Sequence, residues 1–174
     1  MTPVILSRQQ LDQLWEIDRS EIIDTLYRLD NGQLRAYREY YDVRGWDPHD
    51  RQVYTPIHEA CYDRGGIFRL FDDEQMIAAA ALDTLPRGMN GELRQLLFFY
   101  VGAGKRGRGL GRRLFKYALH QLPEMGASGL YISSIPNKNT VDFYLAQGCR
   151  LADKPDPALF ALEPEDIHLV CDRL

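Results

Sequence analysis

Residues 92 to 116 read Glu-Leu-Arg-Gln-Leu-Leu-Phe-Phe-Tyr-Val-Gly-Ala-Gly-Lys-Arg-Gly-Arg-Gly-Leu-Gly-Arg-Arg-Leu-Phe-Lys, an apolar strand that runs through a glycine-rich basic loop into a helix. Glycine lets a backbone approach a ligand with no Cβ in between, and amides at a helix N-terminus point at whatever anion sits there. Gly107, Gly109 and Gly111 fall at that junction. Charge gathers in the same place: Lys105, Arg106, Arg108, Arg112, Arg113 and Lys116 are six of the 21 Lys and Arg in a chain of net charge -4. The pattern reads as a cradle for phosphate groups.

The rest of the chain sets the frame around this loop. Its 174 residues, 45% hydrophobic and 26% charged, suit one globular domain spanning 1-174 with a single core. No apolar run reaches the length of a membrane span, and the first residues lack the charged start and apolar stretch of a signal peptide. A soluble, cytoplasmic protein is expected, with no membrane partner. Cys61, Cys149 and Cys171 are odd in number and widely spaced, without a CxxC pair, so they read as reduced thiols and neither a disulfide framework nor a metal site is expected. Residues 1 to 66 hold 12 Asp and Glu against 8 Lys and Arg, while the remainder holds 13 of each. A solvated acidic surface accounts for that excess, and a wall attracting a cationic substrate is the sharper alternative. One basic loop is too small for a nucleic-acid groove, so no nucleic acid is expected as a partner.

Ser7 and Gln10 form a capping-box start for a helix over about 8 to 19. Residues 21 to 29 and 33 to 42 flank Asp30-Asn31-Gly32, a tight-turn sequence, and predict a hairpin. Asp47-Pro48 starts a second helix, with Thr55-Pro56 as a kink or restart and Gly65-Gly66 as its end. A second hairpin is predicted over 67 to 71 and 75 to 82 about Asp72-Asp73-Glu74, followed by a loop from Pro86 to Gly91. After the strand, loop and helix of residues 92 to about 122 come a buried strand at 129 to 134, a helix at 138 to 147, and short strands near 149 to 152 and 167 to 172.

The glycine loop fits two fingerprints. Gly102, Gly104 and Gly107 match the dinucleotide-binding pattern, yet that pattern needs an acidic residue closing the next strand, and this one ends in Ser133-Ser134. A P-loop is absent because no Gly-Lys precedes Ser or Thr. The second fingerprint is Arg106-x-x-Gly109-x-Gly111, and it is accompanied by the segment from Pro136 through Asn137, Asn139, Phe143 and Tyr144 to Gly148 and Cys149. With both present in order, the chain resembles the GNAT superfamily of N-acetyltransferases from about residue 66 to 152. The resemblance implies an α/β fold with a mixed, mainly antiparallel sheet of six or seven strands, splayed between its two central strands and flanked by about four helices.

What the resemblance implies for chemistry is specific. Acetyl-CoA would be the cosubstrate, with no metal, and a primary amine on a small molecule or peptide the acceptor. The phosphates would lie on Arg106, Gly107, Arg108, Gly109, Leu110, Gly111 and Arg112, the pantetheine between the strands 92 to 101 and 129 to 134. Phe99 and Val101 would offer backbone groups, and Asn137 or Asn139 a side-chain contact or a helix cap. Tyr144 matches the family's general acid, a phenol able to protonate a leaving thiolate. Gln95 stands where some members carry a basic Glu; it cannot take a proton but can hold a water. Asp18, Glu21, Asp47, His58 and Glu59 are unranked candidates for the base. A homodimer is a family-level expectation. The rival readings are an acyl-CoA-binding module without catalysis and, disfavoured by the missing ribose carboxylate, a nucleotide-dependent oxidoreductase.

Overall fold

The computed structural model describes residues 2 to 72 and 75 to 172. Among these residues nine strands form: β1 (Val4–Ile5), β2 (Glu21–Asp30), β3 (Gln33–Val43), β4 (Ile67–Asp72), β5 (Met76–Arg87), β6 (Leu93–Val101), β7 (Gly129–Ser134), β8 (Arg150–Leu151) and β9 (Ile167–Asp172). Four α-helices accompany them, α1 (Pro48–Asp63), α2 (Leu110–Gln121), α3 (Lys138–Ala146) and α4 (Pro157–Leu162). Seven strands make one sheet in the order β1-β4-β5-β6-β7-β9-β8, antiparallel throughout except for β6 on β7. The splayed, mainly antiparallel sheet implied by the sequence is therefore present.

Strand β5 is the spine. Ala78, Ala79, Ala80 and Ala81 are all buried, because both of its faces are covered and only small side chains fit on each. Ala78 and Ala80 pack with Leu114, Phe115 and Ala118 of α2, while Ala79 and Ala81 face Leu11, Leu14, Ile17 and Cys61. The alternation of the strand thus distributes one apolar run between two core layers.

Between β6 and β7 only three pairs form, Leu93 with Gly129, Arg94 with Leu130 and Gln95 with Tyr131. Beyond them each strand keeps its outer neighbour and loses the inner one. β7 stays paired with β9 from Gly129 to Ser134, and β6 with β5 out to Val101. A register shift in β6, where Leu96 pairs with Leu82 but Phe98 with Ala81, leaves Leu97 as an extra residue and bends the strand. The result is an opening in mid-sheet.

Several elements depart from the sequence-based expectation. The first helix is a 3-10 helix over Arg8–Glu16, its entry held by the Gln10 side chain, which accepts from the Ser7 amide at 2.9 Å. β5 runs on through Pro86 and Arg87, which were expected in a loop; Arg87 pairs with Leu93 across the strand. α4, capped by Asp156, and the two-residue β1 were not anticipated. The predicted turn at Asp72-Asp73-Glu74 lies partly outside the described residues. The hairpin of β2 and β3 does form, with Asn31 and Gly32 at φ 48° and 76°, but as a separate two-stranded sheet. It docks on the entry to α3, where the Tyr27 amide donates to the Pro136 carbonyl at 2.8 Å and the Tyr27 hydroxyl to Asp142 at 2.8 Å.

Candidate active site

The opening between β6 and β7 continues into a cleft of about 530 Å³ that reaches the glycine loop and α3. Gly107 and Gly109 adopt φ 74° and 77°, a left-handed conformation that a side chain disfavours, and this turns the chain into α2. The first helical bond of α2 runs from the Arg113 amide to the Gly109 carbonyl at 3.1 Å, so the amides ahead of it are left for a ligand. Gly107, Gly109, Leu110, Gly111 and Arg112 line the cleft, as do Lys105 and Arg106. Arg108 is exposed and lies outside the lining.

The Arg106 side chain does structural work of its own. Its Nε donates to the Val101 carbonyl at 3.0 Å, its Nη1 donates to the Ser20 carbonyl at 3.2 Å, and it pairs with Glu21 at 3.6 Å. The guanidinium therefore ties the glycine loop to the end of β6 and to the start of the hairpin. The Val101 carbonyl is occupied by that bond.

Tyr144 comes from the last turn of α3, at 5% exposure, and lines the cleft. Its ring is fixed among Phe99, Phe115 and Phe143, with centroids 6.0, 5.9 and 5.4 Å away. Burial first, then the neighbouring Tyr100, pushes its phenol well above the ordinary tyrosine range, so it stays protonated. Phe99 and Asn139 also line the cleft. Asn137 is buried behind it as the cap of α3, its Oδ1 accepting from the Asn139 amide at 3.1 Å. Its Nδ2 is buried with no hydrogen-bond partner among the described residues.

A second cavity, of about 640 Å³, opens on the other side of the splay. Leu97, Tyr100, Ser133 and Ile135 line both spaces, so the two adjoin along these residues. Trp15, Trp46, Tyr54, Phe98 and Tyr100 give the second cavity aromatic walls. Gln95 belongs here and not to the cleft; its Oε1 accepts from Arg87 Nη2 at 3.2 Å. The cavity's arginines are all engaged by carboxylates: Arg19 with Asp50 at 3.1 Å, Arg64 with Asp83 at 2.9 Å and Arg87 with Asp156 at 2.9 Å.

Two lining carboxylates have no cation within salt-bridge distance among the described residues, Glu163 and Asp166. Glu163 accepts from the Tyr54 hydroxyl at 2.5 Å. Asp166, in the turn from α4 into β9, accepts from the Ser133 hydroxyl at 2.7 Å. Burial raises the Asp166 carboxyl to about 6, with Glu163 adding to the rise and the Ser133 bond opposing it. His58 also faces this cavity, stacked on Trp15 at 5.3 Å, and burial drops its imidazole to about 4, leaving it neutral.

The candidate bases singled out from sequence are scattered. Asp18 accepts from the Ser20 amide, Asp47 caps α1 and Glu59 lies 3.9 Å from Arg8. Glu21 lines the cleft beside Arg106, and His58 alone reaches the second cavity. Ser133, Glu163 and Asp166 are not among the site residues that the sequence singles out. The Ser-Ser end of a buried strand and the acidic turn ahead of β9 are the only local traces they leave.

A splayed sheet with a glycine cradle at the mouth of the split defines a class, and the family comparison agrees with it. The model of the acetyltransferase (GNAT) family matches residues 24–149. The chain belongs to that family and is a GNAT-fold acetyltransferase. Among solved structures, nourseothricin acetyltransferase is similar at 18% identity and a TM-score of 0.73, covering 99% of this chain and 98% of that one. A putative streptothricin acetyltransferase from Bacillus anthracis str. Ames, in complex with acetyl coenzyme A, is 19% identical with a TM-score of 0.62, over 97% and 96% of the two chains. The PaiA N-acetyltransferase from Thermoplasma acidophilum, in complex with coenzyme A, is 16% identical with a TM-score of 0.63, over 99% of each chain. Among curated proteins, none matches this sequence.

Proposed function

We propose that the chain transfers acetyl from acetyl-CoA to a primary amine by direct attack, with both substrates bound at once. The observation that carries this reading is the meeting of two cavities at the splay, one built for anionic groups and one for a cation, with Ser133 and Tyr100 lining both. The residues fit the cosubstrate. Free amides from Gly107 to Arg112 and the nearby basic side chains suit a pyrophosphate, and the unpaired inner side of β6 suits an extended, amide-bearing arm. The complexes of the similar Bacillus and Thermoplasma enzymes with acetyl coenzyme A and coenzyme A support that fit.

Tyr144, which lines the cleft and not the second cavity, holds the proton that the departing sulfur needs. In the second cavity Gln95 is fixed by Arg87 and can position water or substrate without exchanging a proton. The aromatic walls with the carboxylates of Glu163 and Asp166 suit a cationic amine, and the similarity to nourseothricin acetyltransferase favours a polycationic small molecule over a peptide. A binding module without catalysis would have no use for the second cavity. The test is thiol release from acetyl-CoA against nourseothricin, spermidine, an aminoglycoside, lysine and a short peptide. Acceptor-dependent release is the expected result, and its absence with every amine, while acetyl-CoA still binds by calorimetry, would favour the binding module.

A further inference from the structure

The reaction needs a base, and the carboxylate that lines the cleft, Glu21, is paired with Arg106 beside the glycine loop. An amine of ordinary basicity is an ammonium near neutral pH, and its nitrogen has no lone pair until one proton leaves. Gln95 cannot take that proton. His58 is neutral but is held between Trp15 and Phe98, with ring centroids at 5.3 and 5.1 Å, on the α1 side of the cavity.

We propose that Asp166 is the proton acceptor for the attacking amine, held where the two cavities adjoin by its hydrogen bond to Ser133. This rests on the acetyl-transfer reading above. Three independent features converge on it. Asp166 lines the cavity suited to the acceptor, and its carboxylate touches a residue that lines both cavities. Every arginine of that cavity is bound to a different carboxylate, so an incoming ammonium meets Asp166 and Glu163 as the charges left to answer it. Its surroundings then favour proton uptake. Glu163 faces it from the same turn, and the hydroxyls of Tyr54 (α1), Tyr100 (β6) and Tyr144 (α3) also feel its charge. With the carboxyl raised to about 6, it is a stronger base than an ordinary aspartate yet is ionised at neutral pH.

The step balances without an outside reagent. Asp166 takes one proton from the ammonium, and the freed lone pair forms the C–N bond to the acetyl carbon. The C–S bond breaks with its electron pair on sulfur, which takes the Tyr144 proton. The second amine proton, lost as the amide forms, returns through solvent to Tyr144, and Asp166 releases its own to solvent. Nothing is oxidised or reduced.

The test compares kcat/KM against pH for wild type, Asp166→Asn, Asp166→Glu and Glu163→Gln, using nourseothricin and spermidine as acceptors. In the wild type, activity falls as pH drops through the region near 6, because only the carboxylate accepts a proton. Asp166→Asn loses about 10²-fold at pH 7, in the lower range for general base catalysis. Its profile also changes shape: with the base gone, kcat/KM climbs steadily with pH towards the amine's own pKa, since only the free amine reacts. Glu163→Gln removes a like charge and moves the acidic limb to lower pH, and Asp166→Glu recovers part of the rate with a limb restored. A purely structural role would scale the Asn profile down and leave its shape alone, which overturns the proposal. So does an unmoved limb in Glu163→Gln, a check that holds even if Asp166→Asn fails to fold. In either case the wild-type thiol release leaves acetyl transfer standing; a wild type that acetylates none of the five acceptors named above removes both readings.

Discussion

Tyr144 is positioned by its ring and used through its hydroxyl, so Tyr144→Phe separates packing from chemistry. The three phenylalanines around the ring keep their contacts, and acetyl-CoA affinity by calorimetry is expected to stay within about two-fold, below the ~1.4 kcal/mol that would mark a tenfold change. The kcat is expected to fall by roughly 10² to 10⁴, towards the lower end because a CoA thiol is a fair leaving group. A wild-type kcat in the Phe variant would take Tyr144 out of the mechanism. The buried setting also decides a point about pH: a phenol pushed above its ordinary range does not ionise within an assay window, so an alkaline limb from this tyrosine is not expected. Arg106 is a second residue whose role follows from its bonds. Since its guanidinium is spent on Val101, Ser20 and Glu21, Arg106→Ala is expected to loosen the loop and weaken CoA and dephospho-CoA by the same factor. A larger loss for CoA, measured by titration calorimetry, would instead put Arg106 on the 3′-phosphate.

At the scale of elements, the glycine loop couples backbone conformation to binding. An ideal Cβ at Gly109 meets nothing within 4 Å, yet the residue sits at φ +77°. Gly109→Ala is thus expected to cost about 1 to 2 kcal/mol from backbone strain alone, a fall of several degrees in Tm by calorimetry. Gly109→Val adds β-branching and is expected to abolish CoA binding in a folded protein; retained affinity would remove the close-approach argument. This loop was legible in the sequence because glycine and arginine spacing is local information, and so were the Asn31-Gly32 turn and the Asp47-Pro48 start of α1. What stayed hidden depended on partners. Leu11, Leu14 and Ile17 recur every three residues, the period of the 3-10 helix that forms, but three and four look alike over so short a run. β5 continues through Pro86 because β6 is there to pair with Arg87. Asp166 acquires meaning only when β7, 33 residues earlier in the chain, brings Ser133 to it.

Across the whole molecule, charge is arranged differently from what its distribution along the chain suggests. The acidic excess lies in the first 66 residues, yet Asp50, its contribution to the second cavity, is neutralised by Arg19. The carboxylates without a cation there, Glu163 and Asp166, come from the far end of the chain, carried in by α4 and the turn after it. Attraction of a cationic acceptor should therefore be short-ranged and local. Exposed charges are screened beyond about 10 Å at 0.1 M ionic strength, so Asp12→Asn and Glu16→Gln, exposed on the N-terminal 3-10 helix, are expected to leave the acceptor KM unchanged. In the wild type, KM for spermidine is expected to rise with salt while acceptors of a single charge respond less, since each added positive charge gains another screened interaction. Glu163→Gln should flatten that dependence. A KM for spermidine that is independent of salt, or one that moves as much with Asp12→Asn as with Glu163→Gln, would mean that the acidic N-terminal surface and not the carboxylate pair governs capture, or that charge plays no part in it.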